Sequence, residues 1–339
     1  MKVMNILAIE SSCDETAAAV VADGRTIRSN VLSSQIEKHR MTGGIVPEVA
    51  ARAQLEMILP VIEKAMEDAR TDWPEIDAVA VTRGPGLVGP LIVGTETAKA
   101  LAFAKAKPLI AVNHLAGHLY ACLAGEPTFR FPYLGLVVSG GHTEFALVHG
   151  HHDFELVGST RDDAGGEAFD KVARLLGLPY PGGPEISRRA ARGDAAAFDF
   201  PRPMLNQDNL DVSFSGLKTA VRQAVGDREL TARQTDDVAA SFEAAVVDTL
   251  VEKTARATRR YEPNAVLLGG GVAANRRLRE ALGKRLSVPL LLTPPELATD
   301  NAAMIGIAAY WQRDDALTGT RRFSVSADPG LTLASPATQ

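Results

Sequence analysis

Two histidines stand four residues apart just after an apolar, strand-like segment. His114 and His118 follow Leu109–Val112, and on a helix residues at this spacing leave the same face. Both imidazoles can then bind one metal ion, although an ordinary pair of hydrogen-bonded helix histidines explains the spacing equally well. The carboxyl end of a strand is where α/β sites open, and this placement favours metal ligation.

A third metal ligand has to come from elsewhere in the chain. Asp300 follows the short apolar segment Leu290–Leu292 and is the best candidate. A carboxylate beside two imidazoles would leave open positions for substrate. An aspartate in front of Ala302–Met304 is also a good helix N-cap, and the two roles are compatible.

Glycine turns follow two of the apolar strands. They are Ser139–Gly141 and Gly269–Gly271, and backbone amides in such turns can hold phosphate. One such turn can be a plain tight turn, but two in comparable positions resemble the paired phosphate loops of an actin-like ATPase. The sequence contains no Walker-type lysine loop.

The elements that must position these residues come in two similar sets. The strand–turn–strand pattern of Asn5–Ile9 and Ala17–Val21 returns at Leu134–Val138 and Thr143–Val148. A chain of 339 residues is too long for one ordinary core. We therefore expect an α/β protein with two duplicated lobes around a cleft. Helices are predicted over 45–69, 166–176 and 236–259, the first kinked or split at Pro60.

Composition narrows the class of protein. Charged residues at 23% and hydrophobic ones at 46% are ordinary for a globular protein. Cys13 and Cys122 are too few and too far apart for a disulfide framework, which indicates a reducing compartment. Glu10 interrupts the only candidate signal segment, and no apolar run is long enough to span a bilayer. These features predict a cytosolic protein without membrane contact.

The net charge of −5 argues against a protein that coats nucleic acid indiscriminately. Local basic clusters are either solvated helix faces or RNA contacts. They comprise Arg188, Arg189 and Arg192; Arg276, Arg277 and Arg279; and Arg259 with Arg260.

Taken together, the motifs along the chain resemble those of the bacterial TsaD family, nearly end to end. The order and number of the motifs make this resemblance specific. The matching segments are Glu10–Thr16, Gly84–Gly86, Asn113–His114 with His118, Val138–Thr143, Phe169–Ala173, Pro181–Pro184, Ser213–Lys218 and Gly269–Asn275.

The resemblance implies a fold like those of actin, Hsp70 and sugar kinases. It also implies an enzyme that transfers the threonylcarbamoyl group of threonylcarbamoyl-AMP to tRNA. The acceptor would be the exocyclic amine of the adenosine 3′ of the anticodon, in tRNAs that read codons beginning with A. The transfer centre would include Asp14 and Glu15. His114, His118 and Asp300 would hold one divalent metal ion, Fe(II) in preference to Zn(II). The nucleotide and acyl group would be held by Val137, Val138, Ser139, Gly140, Gly141, Asp170, Gly183 and Asn275.

Domain limits and partners also follow from the resemblance. The N-terminal lobe is expected over 1–131, with a segment from about 312 to 339 packing back on it, and the second lobe over 132–311 carries the nucleotide and metal residues. A TsaB-like paralogue would form a heterodimer through the first lobe. A TsaE-like ATPase would assist, and a TsaC-like enzyme would supply the substrate.

Two positions depart from relatives, and two other enzyme classes compete. Archaeal and eukaryotic relatives place a metal-bound tyrosine where Val137 stands, and many relatives have an aspartate where Ser187 stands. A metallopeptidase would need a glutamate where Leu115 lies between the histidines. An actin-like ATPase or sugar kinase shares the predicted fold, and fold does not determine function.

Overall fold

The structure is a computed structural model that describes residues 2–40, 44–126, 128–226 and 228–334. It divides into two compact units. Unit 1 comprises Met1–Phe129, Gly150–Phe154 and Thr293–Gln339, and unit 2 comprises Arg130–His149 and Glu155–Leu292.

Unit 1 is built on a five-stranded sheet with the order β3-β2-β1-β4-β5. β1 pairs antiparallel with β2 and parallel with β4, and β5 continues parallel to β4. The strands are β1 Asn5–Glu10, β2 Glu15–Ala22, β3 Thr26–Ser34, β4 Ala78–Gly84 and β5 Leu109–Asn113. The helices are α1 Ile36–Arg40, α2 Pro47–Asp68, α3 Val88–Ala104 and α4 His114–Ala121. α2 runs through Pro60 as one helix, so the predicted split does not occur.

Unit 2 repeats the same topology. Its sheet has the order β10-β9-β6-β7-β8, with β6 antiparallel to β7 and parallel to β9. The predicted duplication is thus visible as two sheets with equivalent strand order. The strands are β6 Tyr133–Val138, β7 Thr143–Gly150, β8 Asp153–Ser159, β9 Ala265–Gly269 and β10 Leu290–Leu292. The helices are α5 Gly165–Leu175, α6 Gly182–Ala190, α7 Ser215–Val225, α8 Ala232–Tyr261 and α9 Arg276–Arg285.

The last helix, α10 (Ala302–Trp311), corrects the predicted boundary. Residues 293–311 were expected in the second lobe but belong to unit 1. α10 is apolar and buried over its first eight residues, so it requires apolar contacts on every side. It packs against β1 and β2, where a Cβ on Gly306 would lie 2.6 Å from Val21. Asp300, which lies just before α10, therefore belongs to unit 1.

A buried lysine fixes the irregular segment that precedes α7. Lys253 on α8 is fully buried, and its ammonium donates to the carbonyl oxygens of Gln207 at 3.2 Å and Asn209 at 2.7 Å. Arg256, which lies three residues after Lys253 on α8, donates to Leu205 O at 2.9 Å. The segment is therefore held through its backbone rather than by regular secondary structure.

Among the described residues, no helix has the length and apolar character that crossing a lipid bilayer requires.

Candidate active site

α4 begins directly after β5, and Asn113 fixes its first turn. The Asn113 side chain accepts hydrogen bonds from the N–H groups of Leu115 (2.9 Å) and Ala116 (3.2 Å), as an N-cap should. Its amide donates to Thr332 O at 3.0 Å. His114 and His118 consequently lie one turn apart on one face, with ring centroids separated by 4.7 Å.

Asp300 lies against both histidines. Its Oδ1 is 3.5 Å from His114 Nε2 and 3.2 Å from His118 Nε2. The N-cap of α10 is Asn301, whose side chain accepts from Met304 N at 3.0 Å, so the alternative that Asp300 caps this helix is wrong. The predicted three side chains are brought together, with one ligand atom of each within 4.8 Å of the others.

Glu10 is a neighbour of this cluster to which the sequence analysis gave no role. Its Oε2 lies 3.0 Å from His114 Nδ1 and accepts from Thr82 Oγ1 at 2.6 Å. Burial opposes protonation of His114, but the charges of Glu10 and Asp300 outweigh it and raise the pKa of His114 to about 9. The sequence signal that could have identified Glu10 is a carboxylate directly after the apolar run Ile6–Ile9. The structure shows that this carboxylate is fully buried.

The donor set fits a divalent metal ion. His118 is fully buried, and its ring nitrogens make no hydrogen bond of acceptable geometry to the described residues, although Nε2 lies 3.2 Å from Asp300 Oδ1. Buried polar atoms without partners are rare because desolvation is costly. Two imidazoles and one carboxylate are ligands that both iron and zinc accept, so a bound ion would satisfy the unpaired nitrogens.

Asp14 and Glu15 place two more carboxyl groups in the same unit. Burial, and after it the charge of Asp300, raises the pKa of Asp14. Burial is also the largest cause that raises the pKa of Glu15 to about 8, against the lowering effect of a 2.8 Å hydrogen bond from Ser34. Carboxyl groups that raise one another's pKa values form an electronegative region, and such a region favours a cation.

A glutamine on α2 holds the loop that carries these carboxyl groups. Gln54 Nε2 lies 3.2 Å from Ser11 O, 2.9 Å from Cys13 O and 3.2 Å from Glu15 O. Gln54 is fully buried, so its position and that of the loop depend on each other.

In unit 2, the two glycine turns lie at the same edge of the sheet. β6 and β9 are parallel neighbours, so Ser139–Gly141 and Gly270 both follow carboxyl ends. Gly270 has φ +89°, and a Cβ there would lie 2.4 Å from Val138 O. The side chains of Val137 and Val138 are buried, and these residues can offer a ligand only main-chain groups.

The remaining predicted nucleotide residues join neighbouring elements of unit 2. Asp170 Oδ1 accepts from Gly182 N at 2.7 Å and thereby ties α5 to the start of α6. At Gly140, Gly141 and Gly183, a Cβ would meet no atom within 4 Å. The protein itself leaves open space at these three positions, as a ligand that approaches the backbone would require.

Both polar atoms of the Asn275 side chain are hydrogen-bonded within the protein. Its Oδ1 accepts from Leu278 N at 2.8 Å and caps α9, in agreement with the capping interpretation. Its Nδ2 donates to Glu243 Oε1 at 2.6 Å and to Ser187 Oγ at 3.0 Å. Glu243 was not predicted from the sequence, because nothing local distinguishes one glutamate of a long helix.

The basic clusters are largely paired with carboxylates. Arg189 and Arg192 both lie 3.1 Å from Asp236 Oδ1, and Arg259 lies 3.1 Å from Glu252. Pairing reduces the positive charge that these arginines present to a polyanion. Arg276 keeps an exposed side chain, 3.8 Å from Glu280. An RNA contact at any of these clusters stays a prediction.

Comparison with known proteins gives consistent matches. The sequence profile of the family described as TsaD, tRNA N6-adenosine threonylcarbamoyltransferase, matches residues 26–307. The tRNA N6-adenosine threonylcarbamoyltransferase of Moorella thermoacetica is 53% identical over 313 residues, which cover 91% of this chain and 92% of the relative. The protein of the same name from Geobacillus thermodenitrificans is 52% identical and covers 97% of this chain and 96% of its own.

Solved structures with low sequence identity share the fold. HypF of T. kodakarensis superposes with a TM-score of 0.65 at 15% identity, over 92% of this chain and 48% of that chain. Component A of the Acidaminococcus fermentans (R)-2-hydroxyglutaryl-CoA dehydratase gives a TM-score of 0.54 at 16% identity, over 91% of this chain and 98% of that chain. These neighbours confirm the predicted actin-like α/β fold.

Proposed function

Because this chain belongs to the TsaD family of tRNA N6-adenosine threonylcarbamoyltransferases, we propose that unit 1 carries the transfer chemistry and unit 2 holds the donor nucleotide. The activity is transfer of a threonylcarbamoyl group to the exocyclic amine of an adenosine in tRNA. The observation that carries this assignment is 53% identity to a relative of that name over 91% of the chain. A tRNA substrate implies a cytoplasmic location.

The donor in this proposal is threonylcarbamoyl-AMP, bound through the main chain of Val137–Gly141 and beside Gly183. Backbone N–H groups of a glycine turn suit a phosphate, and the open space at Gly140, Gly141 and Gly183 supports close approach of a ligand. Asp170 supports this arrangement by fixing Gly182 at the start of α6. The acceptor is the adenosine 3′ of the anticodon in tRNAs that read codons beginning with A.

His114, His118 and Asp300 would hold one divalent metal ion, with Fe(II) favoured over Zn(II). Two histidines and one carboxylate with open positions are typical of non-haem Fe(II) sites, and zinc accepts the same ligands. When bound, such an ion supplies Lewis-acid polarisation of a phosphoryl or carbonyl oxygen.

Glu15 is the proposed proton acceptor, and Asp14 its alternative. During transfer the adenosine amine nitrogen forms a bond to the carbamoyl carbon, the bond from that carbon to the phosphate oxygen breaks, and AMP leaves. The amine must lose a proton in the process. A carboxyl group with a pKa of about 8 is a better base than an ordinary one, once it is deprotonated. Glu15 Oε2 is buried and makes no hydrogen bond to the described residues, so the protein itself does not use its lone pairs.

A TsaB-like paralogue is the proposed partner of unit 1. Leu55 and Leu59 on α2 are 65% and 52% exposed, and Val88 and Ile92 on α3 are 55% and 48% exposed. These helices pack against each other, with Gly89 next to Ala51. Exposed apolar side chains on two packed helices are typical of an interaction surface. A TsaE-like ATPase and a TsaC-like supplier of the donor complete the proposed system.

The decisive experiment is mass spectrometry of tRNA nucleosides after incubation with threonylcarbamoyl-AMP and the partner proteins. We expect threonylcarbamoyladenosine in the complete reaction and none when this protein is left out. ATP hydrolysis or sugar phosphorylation without any modified adenosine would favour the actin-like ATPase or sugar-kinase alternative. Metal-dependent cleavage of denatured proteins would favour the metallopeptidase alternative, against which Leu115 argues by standing where a zincin needs glutamate.

A further inference from the structure

The loop between β1 and β2, residues Ser11–Asp14, is held on one side by helix α2. Gln54 is fully buried, and its amide nitrogen lies within 3.2 Å of three carbonyl oxygens, those of Ser11, Cys13 and Glu15. One side chain thus fixes the backbone on both sides of Asp14. Gln54 Oε1 is also buried but receives no hydrogen bond from the described residues. A buried oxygen without a donor is destabilising, so the hydrogen bonds that the N–H groups donate explain the glutamine.

Helix α3 and the turn before it hold the same loop from a second side. Leu87 N donates to Ser12 O at 2.8 Å, and Ser11 Oγ donates to Pro90 O at 3.0 Å. Gly86 ends the glycine–proline–glycine motif, and a Cβ there would lie 2.4 Å from Ser12 O. The motif therefore allows the turn to approach the loop more closely than a larger residue could.

The contacts on the loop come from the same helical turns that expose apolar side chains. Leu55 directly follows Gln54 on α2, and Val88 directly follows Leu87 at the start of α3. Leu55 and Val88 are both more than half exposed. A protein that covers them would restrain the helical turns that hold the loop.

We propose that Gln54 is a positioning residue for Asp14 and Glu15, and that a protein bound over the exposed apolar side chains of α2 and α3 restrains their loop through it. A group that accepts a proton during transfer has to be held at a fixed place. The identity of the bound protein as the TsaB-like paralogue rests on the proposed function. The contact of Gln54 with the loop does not.

Cys13 reports on the loop without tRNA or a donor nucleotide. It is partly exposed, whereas Cys122 is buried and serves as an internal control. The test is the rate at which iodoacetamide alkylates Cys13 in the full-length protein, measured by peptide mass spectrometry. Gln54→Leu removes at least two hydrogen bonds to the loop and should raise the rate at least about tenfold. Gln223→Leu, the same change at an exposed position of α7, should leave the rate unchanged.

Adding an excess of the TsaB-like paralogue tests the effect of the bound protein. In wild type, the alkylation rate of Cys13 should fall at least about fivefold, the lower end of typical coupling between two sites. In Gln54→Leu the rate should not respond, because the contact between α2 and the loop is lost. Ser11→Ala removes only the hydrogen bond to Pro90 and should raise the rate less, which gives a reading even if Gln54→Leu misfolds.

The kinetics of tRNA modification separate positioning from a general loss of structure. Gln54→Leu should lower kcat and leave the KM for the donor nucleotide nearly unchanged. Unchanged alkylation in both Gln54→Leu and Ser11→Ala would overturn the proposal. So would a bound paralogue that does not slow alkylation in wild type, or one that slows it equally in Gln54→Leu by shielding Cys13 directly.

The outcomes for this proposal and for the proposed function can be told apart. A paralogue that does not bind at all would refute the partner surface and, with it, the effect of the bound protein on the loop. Alkylation requires no tRNA, so a protein that shows the expected rates but modifies no adenosine would lose only the proposed activity.

Discussion

The imidazole of His114 and the carboxylate of Glu10 are joined by a 3.0 Å contact between Nδ1 and Oε2. A carboxylate accepts only, so Nδ1 carries a proton and donates it to Glu10, which leaves Nε2 facing Asp300 at 3.5 Å. A metal ion held there would take Nε2 in its deprotonated form. Carboxylates that orient metal-ligating histidines in this way are common in metalloproteins.

Replacing Glu10 tests this orientation. Glu10→Gln is expected to weaken metal binding by about 10–100-fold, the usual effect of losing a carboxylate that orients a ligand histidine. Competition with a chromophoric chelator measures the affinity. Glu56→Gln, an exposed change on α2, should bind metal like wild type. Unchanged affinity in Glu10→Gln would mean that His114 does not depend on this contact.

Removing both histidines should abolish metal binding and tRNA modification together. His114→Ala with His118→Ala leaves Asp300 as the only predicted ligand, and one carboxylate does not retain a transition metal. Elemental analysis measures the metal, and circular dichroism checks the fold. His149→Ala alters an exposed imidazole in unit 2 and is the control. A folded double variant that still modifies tRNA would refute the role of the metal.

Glu15 should make stability depend on pH. Its folded pKa of about 8 exceeds the unfolded value of about 4.3, so the folded state binds the extra proton between these values. This contribution to stability is complete below about pH 4.3 and is lost as pH rises through about 8. The unfolding free energy should therefore fall more steeply from pH 5 to pH 9 in wild type than in Glu15→Gln.

Urea titrations at the two pH values provide the measurement for Glu15, and Glu63→Gln on the exposed side of α2 is the control. If Glu15 accepts the amine proton, Glu15→Gln should also transfer slowly at every pH, whereas the wild-type rate should rise up to about pH 8. Parallel pH dependences of stability in wild type and Glu15→Gln would contradict the raised pKa.

Charged substitutions on α2 should block the heterodimer. Leu55→Asp with Leu59→Asp places two carboxylates on the exposed apolar surface, where burial against a partner would cost far more than burial of leucine. Sedimentation of mixtures with the TsaB-like paralogue should show loss of the complex, and Leu156→Asp on β8 should not affect it. A complex of unchanged affinity would place the interface elsewhere.

Lys253 should be important for the stability of unit 2. Lys253→Ala removes the ammonium that donates to Asn209 O and leaves Gln207 O with Arg256 as its donor, and it also empties a fully buried side-chain position. Loss of a hydrogen bond to a charged donor costs about 1.5–3 kcal/mol. Thermal melting should show a clear decrease, whereas Lys284→Ala on the exposed side of α9 should melt like wild type. Equal melting temperatures would show that water replaces the ammonium at no cost.

Local sequence pattern was sufficient to predict many of the strands and the cluster of His114, His118 and Asp300. Apolar runs that end in polar or glycine turns predicted β1, β2, β6 and β7, and β10 matches its predicted bounds of Leu290–Leu292. β8 (Asp153–Ser159) was not predicted. The histidine spacing and Asp300 predicted the cluster because each residue follows a recognisable strand. Glu10 and Glu243 were missed because their importance lies in contacts with residues 104 and 32 positions away. The position of α10 was mispredicted for the same reason, since its partners β1 and β2 lie at the other end of the chain.

The two sheets have equivalent strand order, but the loops at equivalent positions in the two units attract ligands of opposite charge. The loop after β1 carries carboxyl groups, and the corresponding loop after β6 carries glycines with accessible amides. The first copy is suited to attract positive charge and the second to attract negative charge. Divergence at a single recurring loop position is therefore enough to give two similar halves complementary ligands.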